Sequence, residues 1–282
     1  MKKLYLLTFL LVVVTIIAEA QSFYALRRSR SLIASVGTGT STYFGELKGK
    51  GGFIDPRVNM NVGLQYFVHP SVALRAEAGW FQLEGSDSDP KNGAHNTRNL
   101  SFVSNNFEAS VTGALHLYPM TYRYYQRRPF NAYVYAGLGL LHFNPRAEYL
   151  GKMYALQPLR TEDVAYSRFA FVIPMGAGIK VKAGPFFNLV LEGGYRKTFT
   201  DYLDDVSTVH PDKSTWTDPI RIALSDRGPE VDANPRAPGS VRGNPAKNDG
   251  YFLANFKIEY YVPTSFGPRK TGYKRLRRPY RR

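Results

Sequence analysis

The chain has 282 residues, a formal charge of +15 and no cysteine, which excludes a disulfide scaffold, cysteine-ligated zinc, a thiol nucleophile and acylation of an N-terminal cysteine. A mean hydropathy of −0.30 excludes a bundle of membrane-spanning helices, each of which needs about 20 mostly apolar residues. It does not exclude a membrane β-barrel, which carries its apolar residues at every second position.

The first element is an address. Lys2 and Lys3 precede an apolar run from Leu4 to Ala18, and Ala18-Glu19-Ala20 forms an A-x-A cleavage site before Gln21. Residues 1–20 therefore read as a secretory signal peptide, since the run is short for a span. Its removal leaves a mature chain of charge +14.

Beyond Gln21 the dominant pattern has a period of two, the signal of strands with one apolar face. Ser31 to Thr40 shows it weakly. Val58 to Val68 is apolar at Val58, Met60, Val62, Leu64, Tyr66 and Val68, with Asn59, Asn61, Gly63, Gln65 and Phe67 between. Val72 to Trp80 opposes Val72, Leu74, Ala76, Ala78 and Trp80 to Arg75 and Glu77. Asn106 to Leu117 opposes Phe107, Ala109, Val111, Leu115 and Leu117 to Glu108, Ser110, Thr112 and His116. Asn131 to Leu141 sets Val134, Leu138 and Leu140 against Tyr133, Tyr135 and two glycines. Phe169 to Val181 opposes Phe169, Phe171, Ile173, Met175 and Ile179 to Arg168, Lys180 and Lys182. Phe187 to Tyr195 opposes Phe187, Leu189 and Leu191 to Asn188, Glu192 and Arg196. Phe252 to Val262 opposes Phe252, Phe256, Ile258, Tyr260 and Val262 to Asn255, Lys257 and Glu259.

These segments predict eight strands. The connections at 69–71 and 183–185 are short and the one at 119–129 is intermediate. Those near 41–56, 84–100, 143–167 and 200–249 are long. An even strand number with alternating short turns and long loops is the plan of an outer-membrane barrel, with short turns and both termini in the periplasm. A soluble barrel or sandwich also alternates, but it turns its apolar face inward. Here the polar face mixes Arg75, Glu77, Glu108, Lys180, Glu192, Arg196, Lys257 and Glu259 with glycines. That set suits the narrow interior of an eight-stranded barrel, where charges of mixed sign pair with one another. Tyr66, Phe67, Trp80, Phe81, Tyr118, Tyr195, Tyr260 and Tyr261 are expected at the two interfacial girdles. The fold class is therefore all-β, an eight-stranded antiparallel transmembrane β-barrel with long extracellular loops. The barrel domain is 21–262, with its longest loop at about 200–249.

Candidate chemistry is sparse. His116 is the one histidine clearly on the lumen face with acids available, but no nucleophile–base–orienter arrangement accompanies it. Asp201, Asp204 and Asp205 cluster at the start of the longest loop. Hard carboxylate ligands of this kind can hold Ca²⁺, but the spacing is not that of an EF-hand, and they are expected as a polar rim above the barrel. No metal, cofactor or catalytic residue is predicted. The long loop also contains ordered-looking units at Ile220–Leu224, Ser225–Glu230 and Arg242–Pro245, the makings of a partly folded cap. After Pro263 comes a tail with eight basic residues and no acid: Arg269, Lys270, Lys274, Arg275, Arg277, Arg278, Arg281 and Arg282. Export argues against nucleic acid as its partner, so the tail, residues 263–282, is expected to dock acidic protein surfaces, anionic headgroups or the cell-wall polymer.

Several segments carry a resemblance. The longest is Gly194 to Thr208, GYRKTFTDYLDDVST; the others are Tyr43–Leu47, Tyr135–Gly139, Ala223–Arg227, Arg242–Pro245 and Asn248–Phe252. Together they resemble a family of Bacteroidetes outer-membrane barrels that includes PorG, a component of the type IX secretion system. That resemblance implies a non-enzymatic outer-membrane component of a secretion complex that also serves gliding in some species. Its implied partners are outer-membrane lipids and, on the periplasmic side, a ring-forming lipoprotein with its partner. It supplies no catalytic residues, and the basic tail is not part of the resembling pattern. Two other readings stay open: a small-barrel enzyme acting on outer-membrane lipid or lipopolysaccharide, and a surface adhesion barrel.

Overall fold

The computed structural model describes residues 31–48, 57–87, 97–121, 124–231 and 233–262. The signal peptide at 1–20 and the basic tail at 263–282 lie outside the described residues. In chain order the strands are β1 (Leu32–Phe44), β2 (Arg57–His69), β3 (Val72–Ser86), β4 (Ser101–His116), β5 (Phe130–His142), β6 (Pro145–Tyr149), β7 (Lys152–Ala155), β8 (Phe169–Lys182), β9 (Phe187–Thr198) and β10 (Gly250–Val262). Two short helices, α1 (Leu156–Leu159) and α2 (Pro219–Ser225), lie in the loops.

Eight of the strands form one closed antiparallel sheet in the order β3-β2-β1-β10-β9-β8-β5-β4, and β3 pairs with β4 to complete the ring. The first and last strands adjoin, with Leu32 opposite Val262 and Phe44 opposite Gly250. Closure leaves the ring without a free edge, the condition for β-structure in a lipid interior. All eight predicted strands are present. The β6–β7 hairpin was not anticipated; it stands above the barrel, touching β4 through Val103–Arg146 and Ser104–Pro145.

The faces are inverted relative to a soluble protein. Val62, Leu64, Leu138 and Phe171 point outward at 57 %, 52 %, 70 % and 73 % exposure. Apolar residues continue around the wall on every barrel strand. A belt of this extent is a lipid-facing surface. Among the described residues, no helix is long and apolar enough to cross a membrane.

The charges face inward and pair. Arg75 binds Glu77 and Glu192, each at 2.8 Å, and Lys257 binds the same two carboxylates at 2.6 and 2.9 Å. Tyr133 donates its hydroxyl to Glu192. Nearer the short-turn end, Lys180 binds Glu259 at 2.5 Å and Gln65 at 3.1 Å. Nearer the long-loop end, Tyr251 donates to Glu108 at 2.7 Å, with Arg196 3.6 Å from the same carboxylate. The eight predicted lumen charges, four of each sign, thus form one neutral stack. Space beside Glu77, Glu108, Arg196 and Lys257 amounts to about 20 Å³, room for a single water. β1 lies close both to the stack, at Gly37 beside Lys257, and to the backbone of β10. A Cβ at Gly39 would lie 1.8 Å from the Ala254 carbonyl oxygen, so glycine at that position is steric necessity, and it is why β1 alternates so weakly.

The sequence reading departs from the structure at the barrel ends. β3 continues from Trp80 to Ser86, and β4 begins at Ser101 rather than Asn106. In these stretches Phe81, Leu83 and Phe102 are inward yet apolar, as are Leu141 and Leu253 near the same end of β5 and β10. Both faces then look alike in sequence and the period of two disappears. The same switch corrects the girdle: Phe81 and Tyr261 point into the barrel, at 1 % and 3 % exposure, and Phe67 packs beside Tyr261. Tyr66 and Tyr195 face outward as expected.

Removing one member of a buried ion network leaves its partners uncompensated, at a cost of about 3–5 kcal/mol. Glu192→Ala strips a carboxylate from both Arg75 and Lys257. Reversible urea unfolding in detergent or bilayer is therefore expected to show a loss of that size. A loss below about 1 kcal/mol would mean that water, not Glu192, satisfies these cations.

Candidate functional site

The described parts of the long loops do not spread into solvent. They fold back on the barrel mouth as a cap with an apolar core that joins Leu47, Leu100, Phe143, Leu156, Leu203, Val206 and Leu224 to Phe81, Leu83 and Tyr251 of the upper lumen. α2 supplies Leu224 to this core, and Asp218 caps it by accepting from the Ile220 amide at 2.9 Å. Leu224 and Ser225 lie within the units expected at 220–230.

Polar pairs fasten the loops to one another. Arg242 binds Glu162 at 2.7 Å, both side chains 2 % exposed. Glu162 also accepts from the Ser207 and Thr208 amides, each at 2.9 Å. Asp87 holds Arg98 at 2.6 and 2.8 Å, and Arg98 in turn reaches the Arg242 carbonyl at 2.5 Å. These contacts tie the loop after β9 to those after β3 and β5.

The three aspartates predicted as a rim are buried instead, Asp201 at 6 % exposure and Asp204 and Asp205 at 1 %. The cap covers them, and they do not share one point. Asp205, in the left-handed region at φ 68°, accepts from Tyr166 at 2.6 Å and from Thr161. Asp204 faces the other way. It accepts from the Tyr43 hydroxyl at 2.7 Å, and the same hydroxyl lies 2.7 Å from Asp249. Asp249 also receives the Leu203 amide at 2.9 Å, and Glu46 receives the Asn244 amide at 3.2 Å. Glu46, Asp204 and Asp249 present one oxygen each within 4.8 Å of the others.

The electrostatics follow from burial. Burial raises the Asp204 and Asp249 carboxyls well above the usual range, and the charge of Asp204 adds to the effect on Asp249. Burial raises Asp201 to about 7 and Glu46 by a smaller amount. Asp205 is pushed up to about 6 by burial, with Arg242 opposing.

Tyr43, Glu46, Glu162, Arg242 and Asp249 were not among the predicted site residues. No spacing rule joins them, because they come from four separate segments. The signal that could have found them is the resemblance: all but Glu162 fall inside its quoted segments. His116 sits near the short-turn end between Phe67 and Tyr133, with ring centroids 5.0 and 5.1 Å away, and neither ring nitrogen has a hydrogen-bond partner. The tail residues Arg269 to Arg282 lie outside the described residues.

Cap stability carries a histidine signature. His210 is 1 % exposed, and burial first, then Arg242, pushes its imidazole down to about 4. An unfolded histidine titrates near 6.5. Between about pH 6.5 and 4 the unfolded loop therefore binds a proton that the folded cap refuses, and stability falls as pH falls through that window. Asp201 and Asp205 act in the opposite sense, because their raised values let the folded cap take up protons first. Comparing wild type with His210→Gln by limited proteolysis at pH 7 and pH 5 isolates the histidine. The wild-type cap is expected to lose more protection on acidification than the variant; equal losses would refute the assignment.

No curated protein matches the sequence at a significant level. Among solved structures, the Neisserial surface protein A (NspA) aligns over 82 % of this chain and 97 % of its own, at 7 % identity and a TM-score of 0.44. Ail, the attachment invasion locus protein of Yersinia pestis, aligns over 82 % and 99 %, at 9 % identity and 0.40. The outer membrane enzyme PagL aligns over 82 % and 99 %, at 13 % identity and 0.31. Likenesses this distant transfer no function. The family model described as Domain of unknown function (DUF6089) matches residues 6–218, more than half of the chain, and the chain belongs to that family.

Proposed function

We propose that this barrel is a non-enzymatic outer-membrane component of a type IX protein-secretion complex. Its short-turn end would face the periplasm and dock the ring lipoprotein and its partner. The observation that carries the reading is the convergence of the resembling segments. Tyr43–Leu47, Gly194–Thr208, Ala223–Arg227, Arg242–Pro245 and Asn248–Phe252 all contribute to the cap and its bonds. Residues scattered over more than 200 positions thus resemble that family where they build one unit.

Two further features suit a scaffold. The lumen is filled by paired charges, which leaves no passage for cargo. The short-turn end is rigid: Arg127 donates to the carbonyls of Gly184, Pro185 and Phe187 and to the Asn188 side chain, while lying over the Tyr261 ring. The basic tail leaves the barrel at this same end, just after Val262, and offers positive charge to an acidic protein surface.

Cross-linking in cells, detergent extraction and pull-down of the full chain are expected to recover a ring-forming lipoprotein. Truncation of 264–282 is expected to reduce that recovery. Absence of any such lipoprotein would refute the secretion reading, and equal recovery from both chains would remove the tail as a docking element. His116→Ala is expected to leave the lipid composition of the outer membrane unchanged; an altered lipid A or phospholipid profile would favour a lipid-modifying enzyme instead.

A further inference from the structure

The acids at the junction of β1 and the longest loop are arranged as ligands rather than as a solvated surface. Glu46 follows β1, Asp204 lies five residues after Phe199, and Asp249 directly precedes β10; their facing oxygens all lie within 4.8 Å of one another. Two oxygens that each sit about 2.4 Å from a calcium ion can be at most about 4.8 Å apart. The spacing of each pair therefore meets the limit that a shared ion imposes, and small side-chain adjustments bring all three to one ion.

The protein supplies little to neutralise them. Arg98, close enough to feel Glu46 and Asp204, is already held by Asp87 through two bonds. Tyr43 has one hydroxyl proton for two carboxylates.

A second, separate feature points the same way. Asp201 is 6 % exposed, yet neither of its carboxylate oxygens has a hydrogen-bond partner. The Ser207 side chain is close enough to favour the Asp201 carboxylate but stands outside hydrogen-bond geometry. The charge of Asp201 is felt by Asp249, and that of Glu46 by Asp201, although its oxygens are not among those that converge within 4.8 Å. The second oxygen of Glu46 is also shielded from solvent and unpartnered. Buried carboxylate oxygens are nearly always hydrogen-bonded or bound to metal.

We propose that Glu46, Asp204 and Asp249, with Asp201 as a nearby acid that adds negative charge, bind a divalent cation of the calcium class that clamps the long loop to the top of β1. The donor set is all oxygen, without histidine or cysteine, which suits a hard cation and not zinc or copper. Glu46 is only partly buried, so the ion reaches the site from the loop surface. Asp205 belongs to a different cluster, with Arg242, Thr161 and Tyr166, and takes no part.

Terbium luminescence on the refolded mature chain in detergent tests this. Tyr43 touches two of the proposed ligands, so tyrosine excitation is expected to sensitise bound Tb³⁺, and Ca²⁺ is expected to displace it. The expected Ca²⁺ Kd is on the order of 10⁻⁴–10⁻³ M, the range of extracellular oxygen-ligand sites. Glu46→Gln, Asp201→Asn and Asp249→Asn are expected to weaken binding by roughly 10- to 100-fold. Asp212→Asn, an exposed loop acid outside the cluster, is expected to bind as wild type does. The heat-dependent gel shift of a closed barrel verifies that each variant is folded. Because Asp249 also anchors the Leu203 amide, Glu46→Gln is the decisive variant where Asp249→Asn disturbs the cap. Ca²⁺ is also expected to raise the unfolding temperature of the cap relative to chelator. Emission that Ca²⁺ does not displace, equal unfolding temperatures with Ca²⁺ and chelator, or wild-type affinity in folded Glu46→Gln would each overturn the proposal.

Discussion

A wall that faces lipid excludes charge from its middle, so the charged residues there turn inside and find their partners in the lumen, while Lys197 and the Arg57–Glu84 pair lie at the long-loop end of their strands. This constraint governs the barrel. The four cations and four acids of the lumen do not stand alone: Glu77 and Glu192 each bridge Arg75 and Lys257, and Tyr133 and Tyr251 complete the acceptors. Desolvating a charge costs several kcal/mol unless a partner repays it. The stack is therefore a unit in which each pair justifies its neighbour. It also makes the lumen a core, although a polar one.

The ionic stack occupies only the middle of the barrel. At the short-turn end, Ile33, Phe186 and Tyr261 close the lumen with apolar surface. At the other end the lumen lining turns apolar and runs without interruption into the cap, because Phe81, Leu83 and Tyr251 share one cluster with Leu203 and Leu224. A closed ring of eight strands needs no such cap to satisfy its ladder. The cap therefore reads as the specialised part of the molecule. Its own polar groups obey the same pairing rule at Arg242–Glu162 and Arg98–Asp87. The rule is weakest at Glu46, Asp204 and Asp249, whose oxygens converge with only Arg98, already held by Asp87, near enough to oppose their charge. This departure from pairing, in a structure that otherwise pairs its buried charges, is what the proposed cation would remedy.

Legibility along the chain followed contrast between the two faces. β2 and the lower part of β3 were readable because Val62 and Leu64 alternate with Asn61 and Gln65, and Leu74 with Arg75. Upper β3 and the start of β4 were not, because Phe81, Leu83 and Phe102 are inward yet apolar. β1 was faint because Gly37 and Gly39 face a neighbour too close for any side chain. The aspartates after β9 were legible as a cluster of acids, expected as an exposed rim rather than buried. Their division was not, since Asp204 and Asp205 are adjacent in sequence and the left-handed turn at Asp205 sends them to opposite sides of the cap.

Sequence alone determined the strand count, the inversion of apolar and polar faces and the identity of the lumen charges. Each of these depends on residues one or two positions apart, and a strand converts that spacing directly into a face. Only the tertiary structure decided which charges pair, that the long loops close over the mouth, and that Glu46 and Asp249, some 200 residues apart in the chain, share a carboxylate cluster with Asp204. Those facts depend on ring closure, which places β1 beside β10, and no local pattern encodes a contact between the two ends of a chain.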